Sequence, residues 1–135
     1  MTCKPFVFIG DDGLSADLAN GDTIPLSSVA CNRGCEIVKQ GNAIVVCGQK
    51  KAFAVKASFD LTAASTDPIT VTTLVDGVAV PGGTRTITAV GTSAQTPIDL
   101  QAVVCTGCKC SSTISFQFAG ATATLDGESV LVEQI

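Results

Sequence analysis

The sequence predicts an all-β domain, a sandwich, jelly roll or barrel of about nine or ten short strands. Three observations predict it. The apolar residues are mostly Val, Ile, Ala and Leu, Thr is abundant, and there are six Phe with no Trp or Tyr; branched Cβ atoms lose less freedom in a strand than in a helix. No segment of about 11 residues or more repeats apolar residues at helical spacing between caps, whereas alternation recurs. Turn dipeptides punctuate the chain at intervals of roughly 8–12 residues, the spacing of a sheet of short strands.

Taken in order, residues 1–20 are the least regular part, with Asp11-Asp12-Gly13 marking a turn and Asn20-Gly21-Asp22 another at its end. The segment 36–47, EIVKQGNAIVVC, places Gly41-Asn42 between two apolar arms, a two-residue hairpin turn in which positive φ is cheap. In KAFAVKASFDL (51–61), Phe53, Val55, Ala57, Phe59 and Leu61 share one face, which is the pattern of a half-buried strand. ITVTTLVDGVAVPGG (69–83) has the hairpin dipeptide Asp76-Gly77, then Pro81-Gly82-Gly83 as a second turn. TRTITAV (84–90) and IDLQAVV (98–104) have the length of short strands. The segment 113–135 alternates through Ile114, Phe116 and Phe118, turns twice, and ends on the strand SVLVEQI, whose apolar C-terminal end is expected to be packed.

At 135 residues the chain has room for one domain. Residues 1–20 are expected to be an irregular segment and 21–135 the β domain. The mean hydropathy of +0.45 is high for a small domain with 15% charged residues. No run approaches the roughly 18 apolar residues of a spanning helix, so the hydropathy implies surface buried between subunits and no membrane partner. A net charge of −4, with eight scattered basic residues of which only Lys50 and Lys51 are adjacent, excludes a nucleic-acid partner. MTCKPFVFIGDDG has no apolar region of signal-peptide length, so synthesis in the cytoplasm is expected.

There is little to catalyse with, and an enzyme is not expected. No His is present, which excludes Ser-His-Asp and Cys-His arrangements. The carboxylate pairs Asp11/Asp12 and Asp126/Glu128 stand beside glycines, where Asx turns or solvated loop charges are the expected role. No phosphate-binding glycine motif and no EF-hand spacing occurs.

The seven cysteines remain. VVCTGCKCSS (103–112) holds Cys105, Cys108 and Cys110 within six positions. Its C-x-x-C lies between strands, not at the start of a helix in a βαβ unit, which argues against a redox motif. Cys105, Cys108 and Cys110, with one of Cys31, Cys35 or Cys47, offer the ligand types of a Cys₄ zinc site, but no second C-x-x-C exists. No cofactor is expected. Disulfides from Cys31 or Cys35 to Cys105, Cys108 or Cys110 in an oxidising medium are one alternative; free thiols packing as small hydrophobes are the other.

The order of elements resembles the short all-β head-fibre or virion decoration proteins of tailed phages, whose fold is similar to the trimeric C1q/TNF-like jelly roll. The resemblance covers roughly residues 20–135. GDTIPLSSVACNRGCEIVKQGNAIVV resembles the family's opening, VTTLVDGVAVPGG its L-x-D-G-V-x-V-P-G hairpin, VVCTGCKCSSTISF its Cys-rich loop before a Ser-Thr strand, and VLVEQI its closing strand. Where relatives carry an aromatic pair, this chain has Ala52-Phe53. The resemblance implies a homotrimeric jelly roll with the C-terminal strand near the three-fold axis. It further implies a structural role in the virion, with a phage capsid or other virion protein as partner; residues 1–20, the only part the sandwich is not expected to need, are then the expected contact with the particle. The alternative it leaves is a C1q-like module that recognises a surface glycan or protein through loops at one end.

Overall fold

The computed structural model describes residues 4–135; the first three residues of the 1–20 segment, Cys3 among them, lie outside the described residues. Among the described residues eleven strands form: β1 (Phe6–Asp11), β2 (Ala16–Leu18), β3 (Val29–Arg33), β4 (Ile37–Gln40), β5 (Ala43–Cys47), β6 (Ala52–Ala63), β7 (Pro68–Val75), β8 (Val78–Thr88), β9 (Thr96–Cys105), β10 (Ser111–Ala119) and β11 (Ala123–Gln134). A single 3₁₀ turn, Gly91–Ser93, interrupts the connection before β9. One sheet has the order β3-β1-β11-β6-β9, with β2 added along β11; the other has the order β4-β5-β10-β7-β8. All pairings are antiparallel. Between β3 and β11 the chain changes sheet at every connection except the β4–β5 and β7–β8 hairpins, the path of a jelly roll.

The period-2 signal decides which face of each strand is inside. Phe53, Val55, Ala57, Phe59, Leu61 and Ala63 of β6 are all buried, as their alternation predicts. From the opposite sheet Ile114, Phe116 and Phe118 of β10 point inward and are wholly buried. The two layers meet where the Phe59 and Phe116 rings lie edge to face, centroids 5.3 Å apart. Four of the six phenylalanines are therefore consumed by the core, and Phe6 and Phe8 are left only half-buried.

Of the three hairpins that turn chemistry predicts, those at 36–47 and 69–83 are present, whereas the one in 113–135 is not, because β10 and β11 belong to different sheets. Gln40 pairs with Ala43 around Gly41-Asn42, and Val75 pairs with Val78 around Asp76-Gly77. Asp76 at φ +52° and Gly77 at φ +83° give the left-handed pair that matches the twist of the flanking strands.

Three expectations are corrected. Residues 6–11 and 16–18 are not irregular: β1 lies between β3 and β11, and its Val7 and Ile9 are buried. The β domain therefore begins near Pro5 and not at residue 21. Pro81-Gly82-Gly83 is not a turn, because β8 runs through it with a bulge against Thr72–Leu74. β8 is the edge strand of its sheet, where a proline without an N–H leaves no ladder bond unmade. Asp126-Gly127 likewise is a bulge inside β11, at the register shift between Leu125 and Gly127, and not a second turn.

Candidate functional site

The strand pairings set out the outer face of the first sheet in rows. One row runs Arg33, Phe6, Glu133, Ala54 and Val103; the next runs Cys31, Phe8, Leu131, Lys56 and Gln101. In β1, β11, β6 and β9 these residues alternate with buried or part-buried ones and so point away from the core, while the edge strand β3 is exposed along its whole length. The centre of the face is apolar: Phe6, Phe8, Leu131 and Ala54 are half-buried, and Val103 is 53% exposed. The Phe8 ring folds over Gly10, where an added Cβ would stand 3.0 Å from a ring carbon. Around this centre lie charged groups. The Arg33 guanidinium stacks on Phe6 at 5.3 Å, Lys56 faces Glu133 at 3.9 Å, and Ser58 donates to Asp99 at 2.6 Å. An apolar centre with a polar rim is the anatomy of a protein–protein interface.

Phe6, Phe8 and Leu131 are not among the residues that the motifs of the sequence single out. Their signal is visible in FVFIGD, where Phe6 and Phe8 alternate with Val7 and Ile9, so the strand is apolar on both faces. A sheet strand apolar on both faces needs something to cover each.

Cys35, Cys47, Cys105, Cys108 and Cys110 gather at one end of the sandwich, whereas Cys31 lies within β3 opposite Phe8. Cys105 closes β9 opposite Ala52, and Cys108 and Cys110 lie in the following loop. That loop is laced to the β5–β6 connection: Gly48 N donates to Cys110 O at 2.8 Å, Lys50 N to Gly107 O at 2.6 Å, and Thr106 N to Lys51 O at 3.0 Å. The Gln49 side-chain amide donates to Cys108 O at 3.1 Å. Lys109 reaches Asp76 Oδ2 at 2.9 Å, tying the loop to the β7–β8 turn. Cys47 is opposite Ser111, and Cys35 lies at the β3–β4 corner. Cys31, Cys35, Cys105, Cys108 and Cys110 are exposed free thiols, and Cys47 is partly buried. Among the described residues no three His, Cys, Asp or Glu side chains are placed to hold a metal, so Cys105, Cys108 and Cys110 do not converge as a zinc site. Arg33, two residues past Cys31, is four strand spacings from Val103, about 19 Å. A bridge within one chain from Cys31 to Cys105 is therefore out of reach of the roughly 7 Å limit between Cα atoms.

The carboxylates divide. Asp11 accepts from Gly13 N at 2.9 Å in the Asx turn that its context predicts. Glu128 departs from expectation: it is buried, 4% exposed, beside Asp11 across the β1–β11 pairing. One oxygen accepts from Ser27 N at 2.6 Å and the other has no partner. Burial pushes its carboxyl above the usual glutamate range, and the nearby Asp11 charge adds to this against the hydrogen bonds from Ser27 and the charge of Lys39.

Sheet order and strand path define a TNF-like jelly roll. No family model matches the chain, and no curated relative matches it by sequence. Solved structures do match. The chain is similar to the PRD1 vertex protein P5, with a TM-score of 0.61 and 12% identity over 97% of this chain and 96% of that one. It is similar to murine APRIL, with a TM-score of 0.63 and 14% identity over 98% and 100%. It is also similar to Eiger TNF from S. frugiperda, with a TM-score of 0.67 and 8% identity over 97% and 91%. At these identities the likeness is one of fold.

Proposed function

We propose that the protein is a structural virion protein of a tailed phage, a homotrimeric capsid decoration or head-fibre module. The observation that carries this reading is the apolar outer face of the first sheet, with Phe6, Phe8 and Leu131 at its centre and charges at its rim. β11 is the middle strand of that sheet, which supports a three-fold axis passing beside the C-terminal strand. The fold shared with a vertex protein supports placement on a virion. No step of chemistry is assigned: the protein acts by occupying a surface and holding its shape.

Contact with the particle is assigned to the exposed parts of residues 1–20, the turn at Asp12-Gly13 and the stretch Ala19-Asn20. Deleting the whole segment would remove β1, so the charge-changing substitutions Asp12→Lys and Asn20→Lys are the test. They should leave a folded oligomer that no longer binds particles; variants that still decorate them count against the assignment.

A second reading, a C1q-like module for a surface glycan or protein, is favoured by an open groove of about 520 Å³. Asp17, Asp22, Thr62, Thr92 and Thr124 line it over an apolar floor that includes Leu18, a mixture suited to sugar hydroxyls and ring faces. A glycan array with no binding would remove this reading.

A further inference from the structure

We propose that Cys35 of one subunit and Cys105 of the next form a disulfide, so that three identical bonds close the trimer covalently. The inference rests on the trimer reading above and names the pair of side chains that the interface brings together.

The geometry is that of a single row crossing the whole sheet. Phe6 pairs with both Arg33 and Glu133, Glu133 with Ala54, and Ala54 with Val103. Two residues further along, Ile135 N donates to Ala52 O at 3.0 Å, and Ala52 pairs with Cys105. On the other side Gly34 still lies against the start of β1, since a Cβ there would stand 3.1 Å from Pro5 Cβ, and Cys35 follows it. The row ends in Cys105 at the β9 edge; on the other side the chain leaves β3 after Arg33 and carries Cys35 in the β3–β4 corner, next to the start of β1, and both thiols are exposed and free. Four strand spacings of about 4.8 Å separate them, far beyond the reach of a disulfide within one chain.

A ring of identical subunits uses a heterologous interface: the surface near one edge of each subunit meets the surface near the opposite edge of its neighbour. Rotation about an axis running along the strands keeps every residue at its own height. The groups that meet are then those at opposite ends of one row. Cys35 and Cys105 satisfy this condition. Cys31 lies in the row that ends at Gln101, four residues along β9 from Cys105 and about 13 Å out of the row. Cys108 and Cys110 belong to the loop held to Gly48, Gln49 and Lys50, which leads into the second sheet.

The chemistry balances with a disulfide oxidant such as oxidised glutathione. One thiolate attacks the oxidant and releases a glutathione thiol; the neighbour's thiolate then displaces the second. Two protein thiols lose two protons and two electrons, one S–S bond forms, and one glutathione disulfide becomes two thiols. In a reducing cytoplasm the pair stays open, and it closes after release into an oxidising medium.

The test is denaturing electrophoresis without reductant, after incubation of the whole protein with oxidised glutathione, with peptide mapping of the bands. The wild type should run as a trimer that dithiothreitol converts to monomer, and the map should contain a Cys35–Cys105 peptide. Cys35→Ser and Cys105→Ser should each abolish the trimer band, while Cys108→Ser keeps it. A mixture of Cys35→Ser and Cys105→Ser subunits, denatured and refolded together, should give a crosslinked dimer that neither gives alone. A Cys105–Cys108 bond within one chain, or a ladder that survives Cys35→Ser, overturns the proposal. Light scattering on the reduced protein separates the two readings. A reduced trimer that never crosslinks overturns the staple alone, and a reduced monomer overturns the trimer together with it.

Discussion

Phe59 and Phe116 face each other across the two sheets, edge to face at 5.3 Å, with neither ring exposed to solvent. They join β6 and β10, which belong to different sheets. Truncating Phe116 to Ala leaves a cavity between layers that pack rigidly, and a loss of about 3–5 kcal/mol is predicted. Phe116→Leu, which keeps most of the volume, should lose less than half of that. Urea unfolding of the three proteins checks the order; equal stability of wild type and Phe116→Ala would contradict this account of the core.

Glu128 predicts an unusual pH dependence. Its carboxyl is held above the ordinary glutamate value by burial first and by Asp11 second. The folded state therefore binds its proton more tightly than the unfolded state does. The associated stability is fully present below the ordinary glutamate pKa and is lost as pH rises through the higher folded value. Glu128→Gln should keep the acceptor for Ser27 N while removing the buried charge, raising stability at neutral pH by about 1 kcal/mol. Unfolding measured between mildly acidic and neutral pH should show the wild type losing stability relative to Glu128→Gln as pH rises. A constant difference would contradict the role given to the charge.

Asp76 predicts the opposite sign. Its carboxyl lies below the usual aspartate range, through the Thr113 amide that donates at 3.0 Å and then through Lys109. Its contribution is present above the ordinary aspartate pKa and lost as pH falls through the lowered folded value. Because the pair is at the surface, with the Lys109 side chain mostly exposed, Lys109→Ala should change stability by less than about 1 kcal/mol. Its measurable effect should be on the cysteine loop, as faster amide exchange at residues 107–110.

Gly120, in the connection from β10 to β11, sits at φ +129°. A Cβ there would stand 2.9 Å from Pro68 O and 3.2 Å from Ile69 Cα, both backbone atoms that do not move aside easily. Gly120→Ala combines an unfavourable φ with this clash, and a loss of about 2 kcal/mol is predicted. A melting temperature within a degree of wild type would contradict it.

The parts of the fold that the sequence made legible are those where one face is dry and the other wet. β6 shows this alternation throughout, and the Gly41-Asn42 and Asp76-Gly77 turns mark their hairpins by positive φ. β1 escaped because Phe6 and Phe8 make its outer face as apolar as its inner one, which erases the alternation. Pro81-Gly82-Gly83 and Asp126-Gly127 have turn composition but serve as bulges, a distinction set by which strand lies opposite and not by the local residues. The cysteine-rich loop was legible as a loop at one end of the sandwich. The separation of Cys35 from Cys105 was not, because it depends on the order of strands in the sheet. Glu128 was missed for a similar reason: DGE reads as a solvated turn until the bulge turns Glu128 inward beside Asp11.

The central claim is that the face built from Phe6, Phe8 and Leu131 joins copies of this chain. Light scattering on the reduced protein, with and without Phe8→Glu, tests it most directly. The account predicts a wild-type mass of three times 13.6 kDa and a folded Phe8→Glu monomer with unchanged far-ultraviolet dichroism. A wild-type monomer, or a Phe8→Glu protein that remains trimeric, would contradict it.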